Sequence, residues 1–342
     1  MANHGSNRRA TMRDVAQHAG VSIKTVSRVV NDEPGVRPVL VERVRKSVRE
    51  LDYRPDTAAR SLRLTGGRTA TIALILEDVA NPFSAMIGRA VENVAVPKGF
   101  MVFSASVDED PERERDFVGE FAARRIDGLV IAPTGDDQSY LLPHIAAGTA
   151  VVCVDREPRG LTLDTIVSTN TLGASEGVRH LISGGHRRIG FIGDLASIMT
   201  AEQRLDGYRM ALADAGIPAD PSLVIRDARN EHQSEMAAMR LLTADHPPTA
   251  LFTAQNLITV GALRALRRLH LSHSVALVGF DDFPLADLLE PGVTVVAQQP
   301  TAMGSLAAEL LLARIADPAT LPGRHLVPTN LIRRGSGEIA AP

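Results

Sequence analysis

The stretch from Thr11 to Asn31, TMRDVAQHAGVSIKTVSRVVN, constrains the fold most, because it predicts two short helices joined by a tight turn. Thr11 and Asp14 stand three residues apart, the spacing at which a hydroxyl and a carboxylate cap a helix. Gly20 supplies the backbone freedom that the turn needs, and Ser22 is a natural N-cap for the second helix. Together these signals predict a helix-turn-helix.

The second of these helices separates an inward face from an outward face. Val26, Val29 and Val30 are spaced to turn inward. The face that a DNA major groove would meet is left with Ile23, Lys24, Thr25, Ser27 and Arg28. Ordinary helical hairpins also contain patterns of this length, so the downstream sequence has to decide between the two interpretations.

The charged residues divide the chain into a basic amino-terminal part and an acidic remainder. Residues 1–68 contain 14 Lys and Arg against 7 Asp and Glu, whereas the rest contains 23 against 33. Arg8 and Arg9 lie in a basic arm, residues 1–10, from which they can reach phosphates without reading sequence. A basic module that coincides with a helix-turn-helix predicts double-stranded DNA as its partner.

From Thr71 onward the pattern changes to short apolar strands that alternate with helical stretches. TIALIL, FMVFSA, GLVIAP and AVVCV begin the series, and TIVST, RIGFIG, LVI, TALFT and VALVGF continue it. This alternation predicts doubly wound parallel sheets, and two α/β lobes accommodate so many strands better than one. Such folds bind ligands at the carboxyl ends of strands, which here means the cleft between the lobes.

Several classes of protein are disfavoured by what the sequence lacks. It has no apolar run of membrane-spanning length, and residues 1–10 lack the apolar segment of a signal peptide, so we expect a cytoplasmic protein. The one cysteine, Cys153, lies in an apolar run and predicts a buried structural thiol. Motifs of dinucleotide, phosphate and acyl-transfer enzymes are absent, and His186 has no metal-spacing partner, so we expect no enzyme, no cofactor and no metal.

Motifs in both parts of the chain resemble those of the lactose-repressor (LacI/GalR) family. DVAQHAGVS, TVSRVVN and YRPDTAARSL follow one another at the family's spacing, and GGHRRIGFIG, QRLDGY, GFDD and AQQP resemble landmarks of its body. The resemblance covers nearly the whole chain. It implies an α-helical helix-turn-helix headpiece followed by a two-lobed α/β sensor domain of the type I periplasmic-binding-protein fold, with parallel sheets.

On this resemblance the chain divides into an arm, a DNA-binding domain, a hinge and an effector-binding domain. Their expected bounds are 1–10 for the basic arm, 11–55 for the helix-turn-helix domain, 56–68 for the hinge helix and linker, and 69–342 for the effector-binding and dimerisation domain. Within the last, the first lobe is expected at about 69–167 and 297–322, and the second lobe at about 168–296 and 323–342.

The resemblance also implies that Asp56 to Leu64 is a hinge helix that pairs with its twin in a second subunit. At roughly two turns it is too short to be stable alone. Leu62 stands where the family inserts a leucine into the minor groove, a wedge that kinks DNA. Asp56 replaces the family's usual asparagine and adds a negative charge close to the phosphates of DNA, so we expect a weaker affinity of the hinge for DNA. The predicted DNA-contacting residues are Thr11, Ser22, Ile23, Lys24, Thr25, Ser27, Arg28, Asn31, Arg37, Tyr53, Asp56, Ala59 and Leu62.

The predicted effector-contacting residues follow strand ends or match family landmarks. They are Asn81, Phe83, Ser104, Asp155, Arg156, Asn170, Arg204, Asn256 and Asp281. The resemblance implies that Arg204 and Asp281 hydrogen-bond the effector, and a guanidinium opposite a carboxylate suits a polyhydroxylated ring. A structural ion pair or a helix cap is the alternative for each residue, including Asp155 and Arg156.

The cleft departs from the family pattern at several places. Gln255-Asn256 replaces the usual Asn-Asp pair, Thr169 stands where an aspartate often precedes Asn170, and RDARNEH offers no aromatic ring for stacking. Tryptophan is absent from the chain. Fewer carboxylates and little aromatic stacking favour a small polar effector and admit an anionic one.

The sequence therefore predicts a sequence-specific transcriptional regulator, most often a repressor in this family, that is controlled by a sugar-like effector. One recognition helix reads few base pairs, so a homodimer or a dimer of dimers is expected on a palindromic operator. The alternative is a solute-binding protein without a regulatory role. It would share the body fold, but it would need export and would have no use for a headpiece.

Overall fold

The computed structural model describes residues 10–53 and 68–342, and contacts divide the chain into two units between Thr69 and Ala70. The predicted arm and hinge lie outside the described residues, and with them Arg8, Arg9, Asp56, Ala59 and Leu62.

Within residues 10–53, the described part of the first unit contains three helices: α1 (Met12–Ala19), α2 (Ile23–Val30) and α3 (Pro38–Glu50). The predicted capping box begins α1, since Thr11 N donates to Asp14 Oδ2 at 2.7 Å and Asp14 N donates to Thr11 Oγ1 at 3.3 Å. Gly20 has a φ of 60°, the left-handed conformation that ends α1 and starts the turn. Ser22 accepts from Thr25 N at 3.1 Å and caps α2. The predicted helix-turn-helix is confirmed.

The core of this unit is built from one apolar stripe on each helix. Val15, Val26 and Val44 are completely buried, and Tyr53 joins them with 8% of its surface exposed. Burial of these side chains stabilises helices that are too short to persist alone.

The second unit alternates strands with helices. Its strands are β1 (Thr71–Leu76), β2 (Met101–Ser106), β3 (Gly128–Ile131), β4 (Ala150–Val154), β5 (Asp164–Ser168), β6 (Ile189–Ile192), β7 (Val224–Ile225), β8 (Ala250–Thr253), β9 (Ala276–Phe280), β10 (Thr294–Ala297), β11 (Arg324–Val327) and β12 (Asn330–Ile332). Its α-helices are α4 (Pro82–Ala95), α5 (Pro111–Ala123), α6 (Leu142–Ala146), α7 (Asn170–Ser183), α8 (Met199–Asp214), α9 (Glu231–Leu242), α10 (Asn256–Arg268) and α11 (Pro300–Ala316).

The strands form two six-stranded sheets, one in each lobe. The first sheet has the order β11-β5-β4-β3-β1-β2, and the second has the order β12-β10-β9-β8-β6-β7. All neighbours are parallel except β12, which runs antiparallel to β10. The predicted two-lobed parallel α/β architecture is confirmed.

The pairing of β11 corrects one predicted lobe boundary. Residues 323–342 were expected in the second lobe, but β11 pairs in parallel with β5, from Arg324 opposite Thr165 to Val327 opposite Ser168. The first sheet gains an edge strand that completes its ladder, so the chain returns to the second lobe only after Val327. Short strands of this kind carry no local signal for the sheet they will join.

The chain passes between the lobes near Thr169, Gln299 and Thr329, and these three connections bond to one another. Thr329 N donates to Thr169 Oγ1 at 3.1 Å, and the two threonine hydroxyl oxygens lie 3.2 Å apart. Gln299 Nε2 donates to Pro328 O at 2.8 Å. The three connections therefore form one interlobe hinge, about which the lobes can move; it is separate from the hinge helix predicted at residues 56–68.

Glycines allow close packing of the helix pairs. At Gly207 on α8, a Cβ would lie 2.3 Å from Thr171 O on α7, so backbone would have to move to admit it. Gly119 on α5, by contrast, has no atom within 4 Å of its virtual Cβ. We predict that Gly207→Ala lowers the free energy of unfolding by roughly 2–4 kcal/mol. The matched variant Gly119→Ala should raise it by about 0.5–1 kcal/mol.

Urea unfolding followed by circular dichroism measures both effects. Equal midpoints for Gly207→Ala and the parent would show that α7 and α8 separate without cost, contrary to the packing described.

Within residues 10–53 and 68–342, no helix is both long and apolar enough to cross a membrane.

Candidate functional site

The outward face of α2 carries the side chains that the sequence assigned to a DNA groove. Ser22, Ile23 and Lys24 are exposed, with Ile23 at 45%. Thr25, Ser27 and Arg28 are half-buried on the same short helix. The buried valines on the opposite face hold α2 against α1 and α3, so these polar groups are presented by a fixed scaffold.

Arg28 has one acidic neighbour on this surface. Its Nε lies 3.6 Å from Glu33 Oε2, and both side chains are about half exposed. An exposed pair of this kind contributes little free energy, so the guanidinium can exchange it for another acceptor. Arg37 is exposed at the N-cap of α3, after the loop that follows α2.

Three predicted DNA contacts have local structural roles. Thr11 donates its hydroxyl proton to Asp14 Oδ2 at 2.6 Å and so belongs to the cap of α1. Asn31 ends α2, and its Nδ2 donates to Ser27 Oγ at 3.3 Å. Tyr53 packs in the core of the headpiece, so any contact with DNA is limited to its 8% exposed part. Helix-end spacing signals the first two roles, whereas the burial of Tyr53 depends on how three helices meet.

The cleft between the two lobes encloses a cavity of about 40 Å³. That volume holds a few water molecules, whereas a sugar-sized ligand needs several hundred Å³, so the lobes must separate to admit one. The structure brings six predicted residues to its wall: Asn81, Phe83, Asp155, Arg156, Arg204 and Asp281. Further polar residues that were not predicted line it too: Glu77, Ser84, Asp194, Thr200, Gln255 and Gln298.

Arg204 is fixed in the second lobe by bonds to its surroundings. Its Nε donates to Asn170 Oδ1 at 2.9 Å, and its Nη1 donates to Ala254 O at 2.8 Å. The guanidinium lies over the Phe280 ring, 4.0 Å from the centroid, and 3.6 Å from Asp281 Oδ2. Both members of the pair are buried, so the ion pair is preorganised in a dry wall of the cleft.

Arg156 is the corresponding group of the first lobe, and its partner is Glu109. The two bond through both Nη groups, at 2.8 and 2.5 Å, which is a bidentate pair. Arg156 Nε, however, has no hydrogen-bond partner although it is buried. The structural ion pair that the sequence left open is therefore present, and Asp155 Oδ2, 3.5 Å from Nε, and Glu77 Oε2, 3.8 Å from Nη2, are further charged neighbours.

Asp155 and Asp281 occupy equivalent places in the two lobes, directly after β4 and β9. Both have left-handed backbone, with φ of 68° and 70°, a conformation that is uncommon for residues other than glycine. Burial raises the pKa of each carboxyl, although Arg156 beside Asp155 and Arg204 beside Asp281 oppose the rise. Strained backbone and buried charge at one site are typical of a binding centre.

The expectation of few carboxylates in the cleft is wrong. Four carboxylates line the cavity, Glu77 and Asp155 from the first lobe and Asp194 and Asp281 from the second. Burial, followed by the charge of Glu109, raises the pKa of Glu77 from 4.5 to about 7. Burial also raises the pKa of Asp194. An anion would meet repulsion here, so the wall favours a neutral or positively charged ligand.

Asn256 bridges the two lobes and does not line the cavity. Asn256 Nδ2 donates to Asn81 Oδ1 at 2.9 Å, and Asn81 Nδ2 donates back to Asn256 Oδ1 at 3.3 Å. The preceding residue, Gln255, lines the cavity. In place of the predicted position on the cavity wall, Asn256 therefore forms an interlobe bond.

Two other predicted contacts also need correction. Ser104 does not follow β2 but lies inside it, exposed on the edge of the first sheet and away from the cavity. Asn170 is buried at the start of α7, where its Oδ1 accepts a hydrogen bond from Arg204 Nε and so positions the guanidinium. Ser104 stands inside the run FMVFSA, and the strand continues to Ser106; strand ends are the least certain feature of such patterns.

The missed residues did carry a signal in the sequence. Glu77 directly follows TIALIL, Asp194 closely follows RIGFIG, and Gln298 stands in the landmark AQQP. All three lie at carboxyl ends of parallel strands, where ligands of this fold bind. Among the described residues, no group of three or more His, Cys, Asp or Glu side chains is arranged to hold a metal ion.

Glu77 gives the cleft a pH dependence that can be measured. Because its folded pKa lies above its unfolded value, its ionisation destabilises the fold, and stability falls as pH rises from about 4.5 to 7. We predict that Glu77→Gln is more stable than the parent by roughly 1–2 kcal/mol above pH 7, after allowance for partial exposure, and gains little at pH 4.5. Urea unfolding at both pH values, with Glu157→Gln outside the cavity as control, checks this. A gain that is equal at both pH values would contradict the assignment.

Comparison with known proteins matches both units of the chain. Residues 11–56 match the model described as bacterial regulatory proteins, lacI family, and residues 178–337 match a periplasmic binding protein-like domain. The ribose operon repressor of Escherichia coli K12 is 32% identical over 332 residues, which cover 96% of this chain and 99% of that protein.

Solved structures also match nearly the whole chain. The transcriptional regulator CelR in complex with cellobiose is 31% identical, with a TM-score of 0.71 over 96% of this chain and 100% of that one. The lac repressor dimer bound to operator and the anti-inducer ONPF is 26% identical, with a TM-score of 0.81 over 96% and 99%. On these similarities in sequence and structure, the chain belongs to the lacI family of bacterial regulatory proteins.

Proposed function

We propose that this protein is a transcriptional repressor that binds a palindromic operator as a homodimer and responds to a small polar effector in the cleft between its lobes. One observation carries the proposal: the same chain has an exposed polar face on a helix-turn-helix and a buried, preorganised polar cavity between two hinged lobes. Its relatives include a ribose operon repressor and a lac repressor bound to operator, which supports both halves.

A purely solute-binding role is disfavoured, because the family match extends through the headpiece at residues 11–56. We further propose that the protein is not an enzyme, needs no cofactor, and acts in the cytoplasm, where DNA is available to it.

The proposed dimer surface includes the exposed edge of the first sheet. On β2, Met101 is 61% exposed and Phe103 is 50% exposed, although both are large and apolar. In the second lobe, Leu285 and Leu288 after β9 are 65% and 71% exposed. Apolar groups on an unpaired sheet edge are suited to contact another chain.

We predict that Phe103→Glu weakens dimerisation, because the carboxylate would have to be desolvated in the contact. Loss of the second headpiece should lower the affinity for a palindromic duplex about a hundredfold. Sedimentation velocity and DNA titration measure the two effects. The control Leu321→Glu changes a side chain that is 87% exposed elsewhere. A Phe103→Glu protein that sediments like the parent would remove β2 from the interface.

DNA selection tests the proposed function as a whole. The full-length protein is incubated with random duplexes, and bound DNA is recovered and sequenced over several rounds. Selection should enrich a palindrome with half-sites about one helical turn apart. Recovery of DNA without a shared sequence would contradict the proposal.

A further inference from the structure

Acidic groups outnumber basic groups in the cavity, and the basic groups are already paired. Four carboxylates face two guanidiniums there. Arg156 bonds bidentately to Glu109, outside the cavity wall, and Arg204 bonds to Asn170 and Ala254 besides its pair with Asp281. Arg156 also lies 3.8 Å from Glu77 Oε2 and 3.5 Å from Asp155 Oδ2, so the two guanidiniums are shared among more carboxylates than they can neutralise.

Buried side-chain atoms without a hydrogen-bond partner also indicate that the cavity wall lacks donors. Asp155 Oδ1, Gln255 Oε1 and Gln298 Oε1 have no hydrogen-bond partner, and their residues are only 8%, 8% and 7% exposed. Gln298 Nε2 donates to Asp281 Oδ1 at 2.7 Å, which fixes the amide so that its oxygen is the free atom. Arg156 Nε is the one unpaired donor in this wall. Three buried acceptors against one donor require a ligand that is rich in donors.

We propose that the effector is a polyhydroxylated molecule that carries a protonated amine, of which an amino sugar is the simplest kind. This inference rests on the proposed function and names the class of its effector. An ammonium group offers three donors and no acceptor, so it matches both the free acceptors and the charge. The hydroxyls would use Gln255, Gln298 and Arg156 Nε.

The placement of the carboxylates also explains how such an effector would act. Glu77 belongs to the first lobe and Asp194 to the second, and both line the closed cavity. Without a cation their charges oppose closure, whereas an ammonium between them attracts both lobes. The amine would therefore bind better where the lobes close around it and both carboxylates reach it than where they stand apart, and this difference is the condition for a ligand to shift that equilibrium. The wall is not arranged as a metal site, so an organic cation is the better match.

Matched sugars test the charge requirement on the full-length protein. Thermal unfolding and calorimetry are performed with D-glucosamine, D-glucose and D-glucuronate, and with the three corresponding galactose compounds. An amine should raise the melting temperature and bind about tenfold or more tightly than its neutral counterpart, and the acids should not bind. Equal or tighter binding of a neutral or acidic member, or no shift with either amine, overturns the inference.

Variants test whether Glu77 and Asp194 cause the preference for the amine. Glu77→Gln and Asp194→Asn should each lose the preference for the amine, whereas Glu157→Gln, outside this cavity, should keep it. Both cavity variants remove a charge from an acidic cluster, so circular dichroism should show folded proteins. Variants that retain the preference would overturn the assignment of these carboxylates. DNA selection separates the two proposals: a palindrome recovered while only neutral sugars bind refutes the amine alone, and failure to select any sequence refutes the proposed function.

Discussion

An Arg204→Ala variant is expected to lose the response to effector while it still binds DNA. The guanidinium is buried between Asp281, Asn170 and Phe280, and its removal leaves Asp281 without a charge partner. Truncating one partner of a buried hydrogen-bonded charge pair costs about 2–5 kcal/mol of binding free energy, which is roughly thirtyfold or more in affinity for a ligand held there. We expect the same loss to lower the stability of the second lobe.

Calorimetry measures the affinity of Arg204→Ala for a small molecule that binds the parent, and DNA titration measures its affinity for the operator. Arg209→Ala is the matched control, because Arg209 lies on the same helix and is half exposed. A response equal to that of the parent would remove Arg204 from the site. Joint loss of folding and DNA binding would show instead that Arg204 is structural.

Arg28→Ala is expected to relax the base preference at one position in each half-site. A guanidinium can bond guanine through two donors, a contact worth roughly 1–3 kcal/mol of discrimination. To make that contact Arg28 must leave Glu33, and their exposed pair offers little resistance. Two half-sites together should therefore lose roughly 2–6 kcal/mol of specificity.

The control for this variant is Arg37→Ala, at the start of α3. A phosphate contact there would weaken binding to all sequences alike and reduce the slope of the salt dependence by about one. Titration of the selected palindrome and of single-base changes, at several salt concentrations, separates the two. An unchanged base profile for Arg28→Ala would contradict its assignment to base contact.

Local signals account for the parts of this molecule that the sequence predicts well. The capping box of Thr11 and Asp14, the turn at Gly20 and the cap at Ser22 depend on neighbours within a few residues, so their spacing is enough. The inner strands β1, β3 to β6 and β8 to β10 are almost fully buried and therefore appear as short apolar runs, whereas β2 and β7 lie at sheet edges and are partly exposed. Of the residues predicted after such strands, Asn81, Asp155 and Asp281 line the cleft cavity.

Contacts between distant residues account for what was missed. Asn81 and Asn256 are 175 positions apart, and Arg156 and Glu109 are 47 apart, so no local pattern indicates their pairing. The acidity of the cavity arises only when strand ends of two lobes meet. Tyr53 illustrates the same limit, because its burial depends on packing against three helices.

Coupling between the cleft and DNA is the central claim, and one titration tests it most directly. The full-length protein is titrated into a labelled duplex carrying the selected palindrome, with and without a small molecule that raises its melting temperature. We predict that the molecule changes the DNA dissociation constant by about tenfold or more in the parent, and leaves it unchanged in Arg204→Ala. An unchanged dissociation constant in a parent protein that demonstrably binds the molecule would contradict the account.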